Sequence, residues 1–165
     1  MLDGLRRLQD SDVGPITALL HLAYRPLLEQ GLNFLAATQD DAMTRERTGV
    51  GRECWIVGEP EPLGTITLVL PGHGEGTPWY ERPDVAIVEQ FAVHPDHQRE
   101  GLGSELLNHA VNRGREVGAS NLMLDTSERA TELIHWYLRR GFRRIGDAQW
   151  SHTNYTSWVL ARDLL

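Results

Sequence analysis

The chain has 165 residues, of which 41% are hydrophobic and 24% charged, values typical of a globular domain. This length predicts one domain over residues 1–165. The net charge of −7 disfavours nucleic acid as the ligand, and no apolar run approaches the ~20 residues of a membrane-spanning helix. Cys54 is the single cysteine, which excludes an intrachain disulfide and predicts a buried structural thiol. We therefore expect a cytoplasmic protein without nucleic-acid or membrane partners.

The N-terminal part of the chain predicts a short strand, two helices and a hairpin. Val13, Ile16 and Leu20 recur at helical spacing and mark the first helix. The link over residues 59–62 is too short for a crossover, so the segments on either side of it should pair antiparallel. The predicted elements are a strand at residues 5–8, this first helix, a second helix at 39–48, and strands at 54–58 and 63–70.

The C-terminal part predicts strands that alternate with helices. Residues 85–93 are apolar on both faces, which indicates a central strand. A helix after Gly101 leads to a fifth strand at 121–126, and this connection predicts a parallel pair. A helix at 130–140 and strands at 142–145 and 155–160 complete the set. The fold class is therefore α/β, with a mixed sheet flanked by helices.

A glycine turn joins the fourth strand to its helix. Backbone N–H groups of residues 99–104 should converge at the helix N-terminus, where they can bind a pyrophosphate. A nucleoside-triphosphate loop is excluded, because no Gly-Lys-Ser/Thr ending follows, and Leu106 stands where a dinucleotide motif needs glycine. Taken alone, the turn is equally compatible with a tight connection that binds nothing.

The wider context resembles a known family. The segment AVHPDHQREGLGSELL is similar to the acyl-CoA-binding motif of the GNAT superfamily of N-acetyltransferases, with Gln98, Gly101 and Gly103 at the core positions. Tyr137 precedes Phe142 by the family's five residues. The resemblance covers nearly the whole chain. It implies a mostly antiparallel sheet splayed between strands 4 and 5, acetyl-CoA as co-substrate, no metal, and direct acetyl transfer to a primary amine of a small molecule or protein.

The resemblance also implies roles for particular residues. Tyr137 matches the residue that protonates the departing CoA thiolate, and an N–H of Ala92 or Val93 would polarise the thioester carbonyl. Two positions depart from the family pattern: Glu100 replaces a common Lys or Arg and should point to solvent, and Ala130 replaces a common Asn. The implied cofactor-binding residues are Phe91, Ala92, Val93, Gln98, Arg99, Glu100, Gly101, Leu102, Gly103 and Ser104.

Glu89 is the candidate general base. Strand alternation places it on one face with Val85, Ile87, Phe91 and Val93, where a carboxylate is costly unless it is bonded or faces a cleft. An alkylammonium with a pKa of ~10.4 must lose a proton before it attacks a thioester, and a carboxylate with a raised pKa can accept that proton. The alternative is a glutamate that satisfies backbone donors where the sheet opens.

The remaining candidates are weaker. Tyr137 could be a core aromatic, since apolar residues surround it on its helix. His94 and His97 lack a third ligand nearby, so we expect no metal site. The C-terminal strand with Trp158 could form a homodimer surface. Aromatic residues that could line an acceptor pocket, although packing would explain most of them, are Tyr24, Phe34, Trp79, Tyr80, Trp150, His152 and Tyr155.

Two rival functions fit the same residues. One is a non-catalytic acyl-CoA-binding or regulatory module on the same fold. The other is a different α/β enzyme that binds phosphate. The acceptor of the favoured acetyltransferase stays open at this stage, between aminoglycosides, polyamines, amino acids and protein N-termini.

Overall fold

The computed structural model of the chain describes residues 2–165 and contains seven strands and four α-helices in this range. The helices are α1 (Val13–Glu29), α2 (Asp41–Arg47), α3 (Leu102–Glu116) and α4 (Thr131–Leu138). The strands are β1 (Arg6–Arg7), β2 (Arg52–Val57), β3 (Gly64–Val69), β4 (Val85–Val93), β5 (Asn121–Ser127), β6 (Arg143–Ala148) and β7 (Ser157–Asp163).

The strands form one sheet in the order β1-β2-β3-β4-β5-β7-β6. Neighbouring strands are antiparallel except for β4 and β5, which are parallel and joined through α3. The predicted hairpin of β2 and β3 and the central position of β4 are confirmed. Strand β7 lies between β5 and β6, so it offers no free edge to a second subunit.

The parallel pairing of β4 and β5 is short. It runs only from Val85 opposite Asn121 to Ile87 opposite Met123, although β4 continues to Val93 and β5 to Ser127. Beyond these three residue pairs the strands separate, which confirms the predicted splay. The sheet therefore carries an opening at the carboxyl ends of both strands.

A bulge interrupts β4 next to this opening. Gln90 has a φ of 48°, and the register with β3 shifts at the same level. Val85 and Ile87 pack in one cluster, whereas Phe91 and Val93 pack against the other, beneath α3. The prediction that Glu89 shares a face with Phe91 and Val93 was therefore wrong, because the bulge inverts the alternation of side chains.

Helices cover both faces of the sheet. Leu106, Leu107 and Ala110 of α3 are fully buried against one face. Ile16 and Leu20 of α1 pack on the other face. In both helices these buried residues recur at helical spacing and form one apolar face, as the sequence predicts. Packing therefore covers β4 on both faces near the bulge.

Two further sequence predictions can be compared with the structure. The Cys54 thiol is buried and lies 3.4 Å from the Thr65 hydroxyl, and burial raises its pKa, as expected for a structural thiol. None of the helices within residues 2–165 has the length and apolarity needed to cross a bilayer.

Candidate active site

The turn before α3 presents a row of free backbone donors. Arg99 and Gly101 have φ values of 68° and 88°, so the chain folds into a concave loop of successive N–H groups. Within residues 2–165, no N–H from position 99 to 104 donates a hydrogen bond to another residue. The first N–H groups of α3 lack partners because no helical turn precedes them. The free N–H groups of this loop can donate hydrogen bonds to phosphate groups.

Side chains around the turn fix its shape. Nε2 of Gln98 donates to the Val93 carbonyl at 3.1 Å, and Nδ1 of His94 accepts from the Asp96 N–H at 3.1 Å. The Glu100 carboxylate lies 3.2 Å from Nδ1 of His97 and is exposed. Glu100 thus points away from the loop, as expected for a carboxylate that would repel a phosphate.

A groove of about 1070 Å³ extends from the turn along α4. Glu132 is the one carboxylate on its wall, against four arginines. The groove is therefore cationic, although the chain as a whole carries a net charge of −7. These arginines are Arg99, Arg129, Arg139 and Arg140.

Arg140 is the arginine with the most contacts beside the turn. Its guanidinium lies 3.7 Å from the centre of the Trp136 ring and donates to Oγ of Ser104 at 2.9 Å. It also donates to the Trp136 carbonyl at 3.0 Å. The sequence did not single out Arg140, because a basic residue at a helix end is usual. Arg140 therefore places a positive charge beside the turn, where Glu100 stands in place of the family's common Lys or Arg.

The backbone of β4 alternates between its neighbour and the opening. The His94 N–H donates to the Leu63 carbonyl across the β3–β4 ladder at 2.7 Å. Successive residues of an antiparallel ladder direct their backbone groups to opposite sides. Ala92, two residues before, therefore directs its backbone groups to β3, whereas those of Phe91 and Val93 face the opening.

The carbonyl groups on this edge have partners from other elements. The Tyr24 hydroxyl donates to the Phe91 carbonyl at 2.9 Å, and Gln98 donates to the Val93 carbonyl. The N–H groups of Phe91 and Val93 face the gap left by β5. An extended ligand in the gap could accept from both N–H groups, while Ala92 has no backbone group to offer it.

A second cavity, of about 390 Å³, lies on the other side of the opening. Of the aromatic residues that the sequence suggested for an acceptor pocket, all but Trp79 line this cavity. The aromatic residues that do are Tyr24, Phe34, Tyr80, Trp150, His152 and Tyr155.

Glu89 projects into this second cavity. Its carboxylate lies 3.9 Å from the Arg47 guanidinium, and 27% of the side-chain surface is exposed to solvent. Within residues 2–165 it accepts no hydrogen bond, so it does not satisfy backbone donors at the sheet opening. Burial raises the pKa of Glu89 above its ordinary value, despite Arg47 and Arg52. A carboxylate in this state is a stronger base than one in water.

Tyr137 lies between the two cavities. Its ring packs edge-on against Trp136 and Phe142, with centroid distances of 5.2 and 5.5 Å. Its hydroxyl forms no hydrogen bond to residues 2–165, and burial raises its pKa. The phenol therefore stays protonated near neutral pH and is free to donate. The residues that line both cavities are Tyr24, Phe91, Leu133 and Tyr137.

Asp125 also lines the second cavity, and the sequence did not indicate it. Its two carboxylate oxygens accept from the Tyr80 hydroxyl at 2.6 Å and from Nε1 of Trp150 at 2.8 Å. The only sequence signal was an acidic residue near the end of a buried strand. Its partners are distant in sequence, so their convergence could not be predicted.

Fold and site together define an acyltransferase arrangement, in which a turn of free backbone N–H groups adjoins a splayed parallel strand pair. The family model for the acetyltransferase (GNAT) family matches residues 17–142, which is more than half of the chain. This chain therefore belongs to the GNAT acetyltransferase family, and the resemblance seen in the sequence is confirmed.

Individual relatives agree with this assignment. The amino-acid acetyltransferase of Edwardsiella ictaluri is 28% identical over 86% of this chain, which spans only 27% of that protein. The S-(2-succino)cysteine N-acetyltransferase of Bacillus subtilis is 27% identical over 84% of this chain and 82% of its own. Among solved structures, yncA from Salmonella typhimurium, described as an acetyltransferase with its cofactor acetyl-CoA, superposes with a TM-score of 0.70. That match covers 98% of this chain and 93% of yncA at 17% identity, and supports the fold.

Proposed function

We propose that this protein transfers an acetyl group from acetyl-CoA directly to a primary amine. The observation that carries the proposal is the meeting of two cavities of different chemistry at Tyr137. One cavity is cationic and ends at the free N–H groups of the turn. The other is aromatic and contains the carboxylate of Glu89. Such a pair suits an anionic acyl donor on one side and an amine on the other.

The donor side fits acetyl-CoA, which supplies an acetyl group activated as a thioester. The N–H groups of residues 99–104 would bind its pyrophosphate, and Arg140 would add a positive charge beside them. Phe91 and Val93 would hold the extended arm through their N–H groups. In this proposal the Val93 N–H, rather than that of Ala92, polarises the thioester carbonyl, since only the former faces the opening.

The acceptor side would supply the proton transfers. Glu89 accepts a proton from the incoming ammonium, directly or through water, and its raised pKa suits it to this task. Tyr137 lies where both cavities meet and would donate its proton to the departing thiolate. The direct route needs no covalent enzyme intermediate. We place the activity in the cytoplasm, without metal, nucleic acid or membrane.

The test has two parts. Calorimetry with acetyl-CoA, ATP and NAD, each separately, should show tight binding of acetyl-CoA; binding of ATP or NAD alone would exclude the proposal. Release of free CoA thiol is then measured across a panel of amines. Turnover above the rate of acetyl-CoA hydrolysis supports the proposal. Binding of acetyl-CoA without turnover on any amine would instead indicate the non-catalytic module.

A further inference from the structure

The carboxylate of Asp125 is fixed in position but not neutralised. Both of its hydrogen-bond donors, the Tyr80 hydroxyl and the Trp150 indole N–H, are uncharged. Across residues 2–165 no arginine or histidine forms an ion pair with it. Two donors from separate loops therefore hold a full negative charge at one point.

This charge lies in the cavity of the proposed acceptor. Asp125 belongs to β5 and follows Met123, the last residue of β5 paired to β4. Its strand is held on the other side by β7, with Val159 opposite. The position is therefore set by the sheet itself. Burial raises the pKa of the Tyr80 hydroxyl, and Asp125 and Glu89, which line the same cavity, raise it further.

The rest of the cavity wall also favours a cation. Carboxylates outnumber the arginines at this wall, which are Arg47 and Arg52. The four carboxylates are Glu46, Glu75, Glu89 and Asp125. Aromatic rings fill much of the remaining wall, and their faces attract cations. Phe34 lies 5.0 Å from Tyr155 and 5.5 Å from Tyr24 by ring centroids, and Tyr80 stacks on Trp150 at 6.1 Å.

We propose that Asp125 binds a second cationic group of the acceptor, so that the acceptor is a diamine or a larger compound with at least two cationic centres. The inference rests on the proposed function. The reacting amine must lose its proton near Glu89, whereas the second group stays charged and can anchor on Asp125. Asp125 is thus a binding residue that sets specificity, and Glu89 remains the base.

Three acceptors of matched length test this inference. Hexylamine, 1,5-diaminopentane and 6-aminohexanoate place a methyl, an ammonium or a carboxylate at the same distance from the reacting amine. For the natural enzyme, kcat/KM should be at least tenfold higher for the diamine than for hexylamine, and lowest for the amino acid. Asp125→Asn should raise KM for the diamine until its preference over hexylamine disappears, so that kcat/KM falls more for the diamine than for hexylamine.

Two further variants separate charge from structure. Tyr80→Phe removes one donor but leaves the Asp125 charge, so the preference for the diamine should persist. Asp163→Asn removes an exposed carboxylate paired with Arg143 on β6 and should change nothing. Equal kcat/KM values for hexylamine and the diamine in the natural enzyme, or a preference that survives Asp125→Asn, would overturn the inference.

The inference and the proposed function fail in different ways. If no amine is acetylated, the proposed function fails. Calorimetry of the CoA-bound protein with hexylamine and with 1,5-diaminopentane then tests the inference alone. Tighter binding of the diamine that is lost in Asp125→Asn supports it. Equal binding of the two amines, or tighter binding of 6-aminohexanoate, overturns it.

Discussion

Nε2 of Gln39 donates a hydrogen bond to Oε1 of Gln90 at 2.8 Å, and this bond ties the loop before α2 to the bulge of β4. Nε2 of Gln90 in turn donates to the Arg47 carbonyl and to the Thr67 hydroxyl. These bonds hold Gln90 at a φ of 48°, a conformation that residues other than glycine rarely adopt. The bulge leaves Glu89 facing the second cavity, on the side of Val85 and Ile87, and turns Phe91 to the other face, beneath α3.

Replacing Gln90 should therefore damage both stability and site. Gln90→Val removes the network and places a β-branched residue at a positive φ, so we expect a loss of about 2–4 kcal/mol in unfolding free energy. Denaturant titration measures this loss. Gln90→Gly lacks the same bonds but relieves the backbone, so it should lose less. Equal losses in both variants would show that the backbone conformation contributes little.

Glu89→Gln should lower activity and raise stability. If Glu89 is the general base, this variant should reduce kcat by about 10²- to 10⁴-fold. In the natural enzyme, kcat/KM should fall as the pH drops through the raised pKa of Glu89, because only the carboxylate accepts a proton. A profile of kcat/KM against pH measures this fall, which Glu89→Gln should lack.

The stability effect of Glu89 has a definite sign. Because its folded pKa lies above the unfolded value, ionisation costs folding free energy as the pH rises between the two. Glu89→Gln should therefore melt above the natural protein at pH 8, and the gain should vanish below the unfolded pKa of ~4.3. Glu46→Gln, which removes another carboxylate of the cavity wall, serves as the control and should show no such gain.

Tyr137→Phe should separate chemistry from packing. The ring contacts are kept, and the lost hydroxyl has no protein partner within residues 2–165, so stability should hold. If Tyr137 protonates the leaving thiolate, kcat should fall by about 10²- to 10³-fold with little change in the Kd for acetyl-CoA. Tyr155→Phe alters another tyrosine of the acceptor cavity and should retain activity at saturating amine. Similar losses of kcat in both variants would contradict the acid role.

Arg140 should contribute to cofactor affinity. Arg140→Met keeps an apolar chain against Trp136 but removes the charge, so the Kd for acetyl-CoA should rise about tenfold or more. The salt dependence of binding should also become shallower, since one cation no longer contacts the donor's phosphates. Arg143→Met, at an exposed position on β6, is the matched control. If both variants bind acetyl-CoA equally well, Arg140 does not contact the cofactor.

Glu100→Gln should act in the opposite direction and weakly. The carboxylate is exposed and points away from the turn, so its repulsion of the pyrophosphate is largely screened. We expect a two- to threefold tighter Kd for acetyl-CoA at low salt, disappearing near 0.5 M salt. Isothermal titration at two salt concentrations measures it. A tenfold gain would mean that Glu100 turns towards the phosphates.

The sequence predicts those parts of the fold in which neighbouring residues alone determine the local structure. The apolar run of β4 and the glycine that starts α3 fix local structure through neighbouring residues, and both were located correctly. The bulge at Gln90 could not be predicted, because the partners of its side-chain hydrogen bonds, Gln39 and Thr67, are far away in sequence. Strict alternation of side chains, which the sequence alone predicts for a strand, therefore misplaces Phe91 relative to Glu89.

The site was predicted unevenly for the same reason. The residues of the glycine turn are contiguous, so a motif could identify them. Asp125 and Arg140 are held by hydrogen bonds to residues that only the fold brings close. Asp125 accepts from Trp150, and Arg140 donates to Ser104. The roles proposed for these two residues, one in each cavity, therefore could not be predicted from the sequence.

The three residue pairs that join β4 to β5 have a thermodynamic consequence. Past Ile87 the edge of β4 carries backbone N–H groups that pair with no neighbouring strand, in the middle of the protein's own sheet. A bound acetyl-CoA would act as a substitute strand there. At a concentration one hundred times its Kd, it should stabilise the fold by about 2.7 kcal/mol. The proposed co-substrate would then also be a stabilising ligand of the fold.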